Sequence, residues 1–324
     1  NSFANTYKGK AIATGNIDFK AVNGHLYNDK DLESGDNISL TAAQGLTNFA
    51  YNVYAGKNIT LTATTGDVVN TAVLESVYGD VTLKAEHGNV VNGVENQPAS
   101  GDIITLGGKV IMQAGLTEKE AEDSQQAFDT TAYNVTNYGD IIAIGAMNND
   151  AEGSGSIVLR SVNGNVYNYD DFNTLNNGAE IYYDYDASKD ISIAPFVASY
   201  NIATSNIEIL AEKGAIVNTK DYLVELGNVT LKAQKGIGSY GDVILAGGDI
   251  TLSDTDGDLV NSANLVSVNG NITLNASKGT VVNATKGEVV ALNGNVTLNA
   301  GGDIEPDHKI WLVNTATGAK EVLN

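Results

Sequence analysis

The chain of 324 residues contains no cysteine. This absence excludes a disulfide-bonded scaffold, a cysteine zinc site and a thiol nucleophile. It also suits a chain that must stay unfolded while it crosses an oxidising compartment. The sequence has no apolar run of about 20 residues, the length that a spanning helix needs, and no signal peptide. We therefore expect no membrane insertion of this segment.

Basic residues are also scarce. The chain has 18 Lys and Arg residues against 39 Asp and Glu residues, and its formal net charge is −21. Arg160 is the single arginine. Nucleic acids and anionic membrane surfaces are bound by basic stripes, so this balance argues against both partners.

What the sequence does contain is a repeated phrase. From Gly270 it reads Gly-Asn-Ile-Thr-Leu-Asn-Ala and continues through Lys-Gly to Val-Val-Asn, and close copies begin at Gly79 and Gly248. The repeat distance is 21 residues from Ile38 to Ile59 and 24 residues from Ile272 to Val296. A period of this size indicates a solenoid.

Each unit has three short runs of alternating apolar and polar residues, bounded by glycine turns. Runs this short are typical of strands, and three strands per coil of about 22 residues predict a parallel β-helix. The fold class is therefore all-β, with residues 1–324 forming one right-handed solenoid domain. At roughly 4.8 Å per coil, about twelve coils would form a rod about 55 Å long.

Asparagine recurs at the end of the second run of each unit. Stacked along the axis, these amides can donate to and accept from one another, and they can satisfy backbone groups at a sharp corner. The alternative is that they contact a ligand. The predicted ladder consists of Asn28, Asn48, Asn70, Asn92, Asn168, Asn218, Asn261 and Asn283.

The repeat Gly-Asn/Asp-Ile/Val-Thr-Leu-x-Ala-x-x-Gly-x-Val-Val-Asn resembles the haemagglutinin-type repeats of filamentous-haemagglutinin-like exoproteins, from about Gly15 to Ile304. The resemblance implies a virulence-associated rod, secreted or held at the Gram-negative cell surface. Two-partner secretion would supply an outer-membrane transporter during export. The family's secretion domain is not recognisable and the chain starts at Asn1, so we expect an interior fragment.

Four insertions interrupt the repeat, and the end of the chain loses it. Within the first insertion, Thr117 with Glu120 three residues later predicts a short capped helix. The terminal segment contains the only tryptophan, Trp311, and is expected to be an irregular coil or a partial cap. The insertions span 115–129, 145–155, 170–189 and 195–205, and the terminal segment spans 305–324.

Long loops on a regular scaffold are where binding residues usually lie. Eight of the 15 tyrosines fall between Tyr133 and Tyr200, beside many carboxylates. Rings that stack on sugars and carboxylates that accept from hydroxyls predict a saccharide site, while tyrosine enrichment fits a protein receptor equally well. The alternative is that these rings pack the loops onto the rod. The candidate residues are Tyr167, Tyr169, Asp170, Asp171, Phe172, Tyr182, Tyr183, Asp184, Tyr185 and Asp186.

Parallel β-helices also include polysaccharide lyases and hydrolases, which makes an enzyme the main rival. Asp170-Asp171 is the only paired-acid candidate for glycoside hydrolysis, with Arg160 or Lys189 as a nearby cation. The chain lacks the Asn-Thr-Asp and Gly-His-Gly signatures of such hydrolases. Its three histidines, at 25, 87 and 308, fall in distant coils. We expect no enzyme.

Metal binding is a further possibility. Asp254, Asp256 and Asp258 could gather around Ca²⁺, although an Asp-Gly turn explains the same residues. A second carboxylate cluster is Asp184, Asp186 and Asp190. Apart from this possible Ca²⁺, no cofactor is expected.

The sequence therefore predicts a repeat-rod segment of a secreted bacterial surface adhesin. Its partner would be a glycan or protein receptor on a host or neighbouring cell, contacted through the central insertions. A passive stalk that presents a distal domain is the first alternative. A polysaccharide lyase or hydrolase is the second.

Overall fold

The computed structural model is an all-β solenoid of parallel strands. It describes residues 2–5, 9–97, 100–145, 155–176, 205–284, 287–306, 310–314 and 319–323. Three long sheets of 12, 11 and 11 strands, here called sheets A, B and C, run along the rod, and every neighbour in a sheet comes from the next coil. The predicted parallel β-helix is confirmed. In the described part of the chain, no helix is long and apolar enough to span a membrane.

Sheet A carries the asparagine positions and consists of strands of three residues. Its members are Phe3–Asn5, Leu26–Asn28, Leu46–Asn48, Val68–Asn70, Val90–Asn92, Val135–Asn137, Val166–Asn168, Ile216–Asn218, Ile237–Ser239, Leu259–Asn261, Val281–Asn283 and Ile304–Pro306.

Sheet B follows sheet A in each coil, and sheet C follows sheet B. Sheet B consists of Ala11–Ala13, Leu32–Ser34, Asn52–Ala55, Val73–Ser76, Ile103–Thr105, Ile141–Gly145, Phe172–Asn176, Tyr222–Val224, Val243–Ala246, Asn264–Ser267 and Val289–Ala291. Sheet C consists of Ile17–Ala21, Ile38–Ala42, Ile59–Thr65, Val81–His87, Val110–Ala114, Ile157–Ser161, Ile207–Ala211, Val229–Ala233, Ile250–Asp254, Ile272–Ala276 and Val296–Ala300.

Alternation along each strand builds the core. In strand Ile272–Ala276 the first, third and fifth side chains are fully buried, whereas Thr273 is half-buried on the outer face. Ile272 is paired with Ile250 on one side and Val296 on the other, so identical positions stack along the axis. Because each coil buries its apolar side chains against its two neighbours, the core is one continuous column.

The asparagines of sheet A form a ladder inside the rod. The Nδ2 of Asn48 donates to Oδ1 of Asn70 at 2.8 Å, and Asn70 donates in turn to Asn92 at 2.8 Å. Asn70 Nδ2 also donates to the carbonyl of Ala72, two residues further at the corner. Similar bonds link Asn5, Asn28, Asn48, Asn70, Asn92, Asn137, Asn168 and Asn218, and a separate bond links Asn261 to Asn283.

The ladder is interrupted at Ser239. This residue is registered between Asn218 and Asn261 in sheet A and is fully buried. Within the described part of the chain, Ser239 Oγ and Asn261 Oδ1 are buried without a hydrogen-bond partner. The serine side chain lacks the amide that donates to the next rung elsewhere, so the break leaves an acceptor unsatisfied.

A second set of Asn and Asp side chains covers the outer corners. Asn37 Oδ1 accepts from the backbone N–H of Asn58, one coil later, at 3.1 Å. Asn271 accepts in the same way from Asn295 at 2.9 Å. Asx residues therefore satisfy backbone donors between coils on the outside of the rod as well.

Glycine is required at the turns because the coils approach closely there. A Cβ added to Gly294 would lie 2.0 Å from the carbonyl oxygen of Gly270 in the previous coil. Gly270 in turn lies against Gly248, with a Cβ placed 2.4 Å from the Gly248 carbonyl carbon. The Asn-Gly and Gly-Gly pairs of the repeat thus mark positions where one backbone touches the next.

The first insertion contains the predicted helix. Helix α1 spans Glu118–Asp123, and its N-cap Thr117 accepts from the backbone N–H of Glu120. The Glu120 carboxylate accepts from the Thr117 N–H at 2.9 Å, which completes a capping box. This expectation is confirmed.

Two segments differ from what the sequence predicts. Residues 170–176, expected as the start of the third insertion, instead form a corner and the sheet B strand Phe172–Asn176, paired with Ile141–Gly145 and Tyr222–Val224. In the terminal segment, Ile304–Pro306 is the last strand of sheet A, and Ile310–Asn314 pairs antiparallel with Ala319–Leu323.

Filling the ladder break should stabilise the rod. We expect Ser239→Asn to raise the free energy of unfolding by about 1–2 kcal/mol, because its amide can accept from Asn218 and donate to Asn261. Equilibrium chemical denaturation of the two proteins measures this change.

Ser267→Asn is the matched control. Ser267 is also a buried serine, but its Oγ already donates to the Gly248 carbonyl at 2.8 Å and accepts from the Gly270 N–H at 3.0 Å. We expect this control to destabilise the rod. Equal effects of the two substitutions would show that the gap at Ser239 is not an unmet hydrogen bond.

Candidate functional site: an aromatic and acidic groove

Four successive corners between sheets A and B form the candidate site. Each corner directly follows a ladder asparagine, whose Nδ2 holds the corner by donating to a carbonyl, as Asn168 does to Asp170 at 2.6 Å. The short sheet A strands end here because the chain must turn sharply into sheet B. In the part of the chain that the structure describes, the corners comprise residues 93–97 with 100–102, 138–140, 169–171 and 219–221.

Tyrosine rings are stacked along this face. The rings of Tyr138 and Tyr169, from adjacent coils, lie 5.1 Å apart with an interplanar angle of 12°. Tyr167 lies parallel to Tyr169 at 6.3 Å, and its hydroxyl accepts from Asn165 Nδ2 at 2.8 Å. All three rings are half-buried, so the stack is rigid while part of each ring meets solvent.

Aspartates occupy one corner position in successive coils. Asp102 accepts from the backbone N–H of Asp140 at 3.2 Å, and Asp171 accepts from that of Asp221 at 3.0 Å. Asp221 accepts from the N–H of Asp242 at 2.8 Å. The bonds to backbone explain an Asx residue at each corner, as at Asn264, which accepts from the Glu288 N–H. These bonds need only an oxygen acceptor. They therefore do not explain why five successive coils carry a charged residue here, namely Asp102, Asp140, Asp171, Asp221 and Asp242.

Asp170 concentrates negative charge further. The residue two places after the ladder asparagine is a buried alanine at Ala72 and Ala263, but here it is a half-buried aspartate. Asp140, Asp170 and Asp171 each place one carboxylate oxygen within 4.8 Å of the others.

The crowding shifts the ionisation of this cluster. Burial, together with a hydrogen bond to Asp170 and the charges of Asp170, Asp102 and Asp171, raises the pKa of Asp140 to about 6. Burial likewise raises the pKa of Asp102 and of Asp171, although backbone hydrogen bonds oppose both shifts. The ionised cluster is therefore held at an energetic cost, which a hydrogen-bond donor or a cation in the groove would reduce.

The groove between these corners has a volume of about 680 Å³, within the usual range for ligand sites of roughly 300–1,000 Å³. The lining residues are Glu95, Asn96, Gln97, Asp102, Tyr138, Asp140, Tyr169, Asp170, Thr219 and Lys220. Lys220 is the lining cation, with Nζ 3.6 Å from Asp170 Oδ1. The groove thus offers rings, acceptors and an ammonium group together.

A divalent cation could be held by Asp140, Asp170 and Asp171, because their carboxylate oxygens are the hard ligands that Ca²⁺ and Mg²⁺ prefer. The other proposed set, at residues 254–258, is not brought together. Asp254 is buried and accepts from the Gly236 N–H at 2.7 Å and from the Gly257 N–H. Asp256 pairs with Lys278, and Asp258 accepts from the Thr280 N–H.

The predicted ligand residues do not all lie at the groove. Tyr169 and Asp170 line the groove, while Tyr167 and Asp171 lie beside it. Phe172 is corrected: it is fully buried and stacks on Tyr222 at 5.1 Å, because it is the first inward residue of a sheet B strand. Tyr182, Tyr183, Asp184, Tyr185, Asp186 and Asp190 lie outside the described residues.

The cation proposed for an enzyme site lies elsewhere. Arg160 is on the outer face of sheet C, where its guanidinium donates to Glu212. Lys189 is outside the described residues. Lys220 is the cation beside Asp170.

Sequence reasoning missed most of the groove, since two of its ten lining residues, Tyr169 and Asp170, were predicted. Tyr138, Asp140 and Lys220 follow ladder asparagines at the same spacing as Tyr169, Asp171 and Asp170, so aligning the coils on the asparagine would have grouped them. The loop Glu95–Gln97 was not among the four predicted insertions, because the strands on either side of it keep the repeat.

The raised pKa of Asp140 predicts a pH-dependent stability. A carboxyl group with a folded pKa of about 6 and an ordinary value of 3.8 binds its proton more strongly in the folded state. The contribution of Asp140 to the free energy of unfolding therefore rises as pH falls from 7.5 towards 4.5, by about 1 kcal/mol after solvent screening.

We expect Asp140→Asn to flatten this part of the pH dependence, as measured by denaturation at pH 7.5, 6.0 and 4.5. Asp242→Asn is the control, since Asp242 is an exposed aspartate of the same corner column. If the free energies of unfolding of wild type and Asp140→Asn differ by the same amount at every pH, the pKa of Asp140 is not raised in the folded rod.

Comparisons of the chain with protein-family models, with curated proteins and with solved structures find no match.

Proposed function

We propose that this chain is a rod segment of a secreted bacterial surface adhesin and that the groove binds a surface glycan. The observation that carries the proposal is the arrangement of Tyr138 and Tyr169 beside Asp140 and Asp170 in one groove. The resemblance of the repeat to filamentous-haemagglutinin-like exoproteins is the further support for a bacterial exoprotein.

The groove suits a short saccharide in shape. Its lining comes from four successive corners, which at about 4.8 Å per coil extend roughly 15 Å along the rod. An extended chain of sugars laid along the axis would meet a corner in every coil. The rigid sheets behind the corners keep the spacing fixed before the ligand arrives, which lowers the entropic cost of binding.

The chemistry of the lining also suits a sugar. Carboxylates of Asp102, Asp140 and Asp170 accept hydrogen bonds from hydroxyl groups, and the Asn96 and Gln97 amides can donate as well as accept. The partly exposed tyrosine rings offer apolar surface to C–H groups. A sugar that carries an amine would also gain from the negative charge.

The scaffold is suited to the presentation of a binding groove. A continuous stack of coils holds the groove on the side of a rod, and the chain lacks cysteines that would oxidise during export. Export through an outer-membrane transporter and an extracellular location belong to the same proposal. We propose no reaction, since binding needs no group beyond those that line the groove.

The test is binding of the labelled rod to a broad glycan array, with and without calcium. We expect hits that share one sugar, and we expect Tyr138→Ala and Tyr169→Ala each to weaken binding at least tenfold. That loss corresponds to about 1.4 kcal/mol, in the range for a contact ring.

Two exposed tyrosines outside the groove are matched controls. Tyr240 is 50% exposed at the equivalent corner of a later coil, and Tyr51 is 84% exposed on an earlier one. Tyr240→Ala and Tyr51→Ala should bind like wild type. An array without hits would remove the glycan proposal and favour a protein receptor or a passive stalk, whereas shortening of a polymer would indicate a lyase or hydrolase.

A further inference from the structure

His87 occupies an unusual position at the end of a sheet C strand. Its Nδ1 lies 3.3 Å from Asp129 Oδ2, and its Nε2 lies 2.9 Å from Gln126 Oε1. Both partners belong to the first insertion, which folds back over this strand. Each ring nitrogen therefore faces an oxygen atom.

Both of these oxygens are acceptors. Asp129 already accepts from the Thr131 hydroxyl at 2.7 Å and from the Tyr133 hydroxyl at 2.8 Å, as a carboxylate does. The Gln126 amide is oriented by its Nε2, which donates to Glu86 at 3.3 Å, so its Oε1 points to the histidine. A neutral imidazole has one N–H and can satisfy one of these contacts, whereas an imidazolium donates to both.

The insertion is otherwise fixed at its two ends. Near helix α1, Glu120 accepts from Lys84 Nζ at 2.6 Å and from Gln113 Nε2 at 2.6 Å. Beyond His87, Asn163 donates to the Asp129 carbonyl at 2.8 Å, and Lys213 Nζ lies 4.9 Å from the Phe128 ring centre. His87 thus contacts the last part of the insertion, at Gln126 and Asp129.

We propose that His87 is a proton-operated latch that holds the first insertion, residues 115–129, against sheet C when its imidazole is protonated. In the neutral state one nitrogen lone pair faces an oxygen lone pair, and the stretch from Gln126 to Asp129 loosens. Loosening uncovers the end of the sheet C strand at Glu86 and His87, which Gln126 and Asp129 contact, while Glu120 stays bonded to Lys84 and Gln113. The rod would then present different surfaces in mildly acidic and mildly alkaline surroundings.

The other charged groups around the ring do not change charge in the relevant range. Burial raises the pKa of Glu120, but hydrogen bonds from Lys84, Thr117 and Gln113 outweigh it and hold the pKa at about 2. Hydrogen bonds from Thr131 and Tyr133 lower the pKa of Asp129, and burial beside that carboxylate raises the pKa of Tyr133. Glu86 accepts from Gln126 Nε2, and the charge of Asp67 also raises the pKa of Tyr133. Between pH 5 and 8, histidine is the side chain that ordinarily titrates.

Hydrogen exchange of the insertion tests the latch. Backbone amides of residues 117–129 are followed at pH 5.5 and 8.0, with rates corrected for the intrinsic effect of pH. In the wild-type rod we expect protection to fall at least threefold from pH 5.5 to 8.0. In His87→Gln we expect protection that is the same at both values.

His25→Gln is the matched control. His25 lies in a distant coil, where its Nδ1 accepts from the Gly45 backbone N–H at 3.2 Å, so its replacement should not affect the insertion. Imidazole ¹⁵N chemical shifts supply an independent readout in the unaltered rod. They should report both His87 nitrogens protonated at pH 5.5, where the insertion is protected.

Any one of three results would overturn the proposal. One is wild-type protection of the insertion that does not change with pH. A second is a neutral His87 ring at pH 5.5 while the insertion remains protected. A pH effect of the same size in His87→Gln as in wild type would assign the effect to another group and would also exclude the latch.

Discussion

The rod depends on polar side chains that satisfy backbone groups at the corners, either in the same coil or in the neighbouring coil. A coil of about 22 residues turns three times, and every turn leaves N–H and C=O groups that no sheet can pair. Inside the rod, asparagine amides bond to one another and to a corner carbonyl, as at Asn70 and Ala72. Outside it, Asx side chains accept from N–H groups one coil later. Hydrophobic columns drive the stacking, and these bonds fix where each corner lies.

The candidate site follows from this constraint. Because a ladder asparagine fixes each corner, whatever residue follows it appears at the same place in every coil. Tyr138 and Tyr169 therefore stack, and Asp140 and Asp171 align without any loop designed to bring them together. Asp170 is the carboxylate at a position where the other described corners carry small residues such as Ala72, Gly139 and Ala263, or the lysines Lys30 and Lys220. A negative charge placed where the scaffold needs none is what distinguishes the groove from the rest of the rod.

Much of the fold could be predicted from the sequence, because the same physical pattern is repeated in nearly every coil. The alternation in Ile272–Ala276 and the following glycines specify strands and turns locally. The Thr117–Glu120 capping box is equally local and was predicted correctly. The candidate site could be predicted less well from the sequence. Phe172 was read as a ligand residue because it is adjacent to two aspartates, whereas its burial follows from its register with Ile141 and Tyr222. Tyr138 and Lys220 are distant in sequence from Asp170 and meet it through stacking alone.

The most direct test of this account is the free energy of unfolding of Asn70→Ala. Asn70 lies in the middle of the ladder, is fully buried, and bonds to two asparagines and the Ala72 carbonyl. The account predicts a loss of about 3 kcal/mol or more, since each buried group left unpaired costs about 1–3 kcal/mol. It also predicts a much smaller loss for Asn275→Ala, whose side chain lies on the outer face. Similar small losses at both positions would contradict the central role of the ladder.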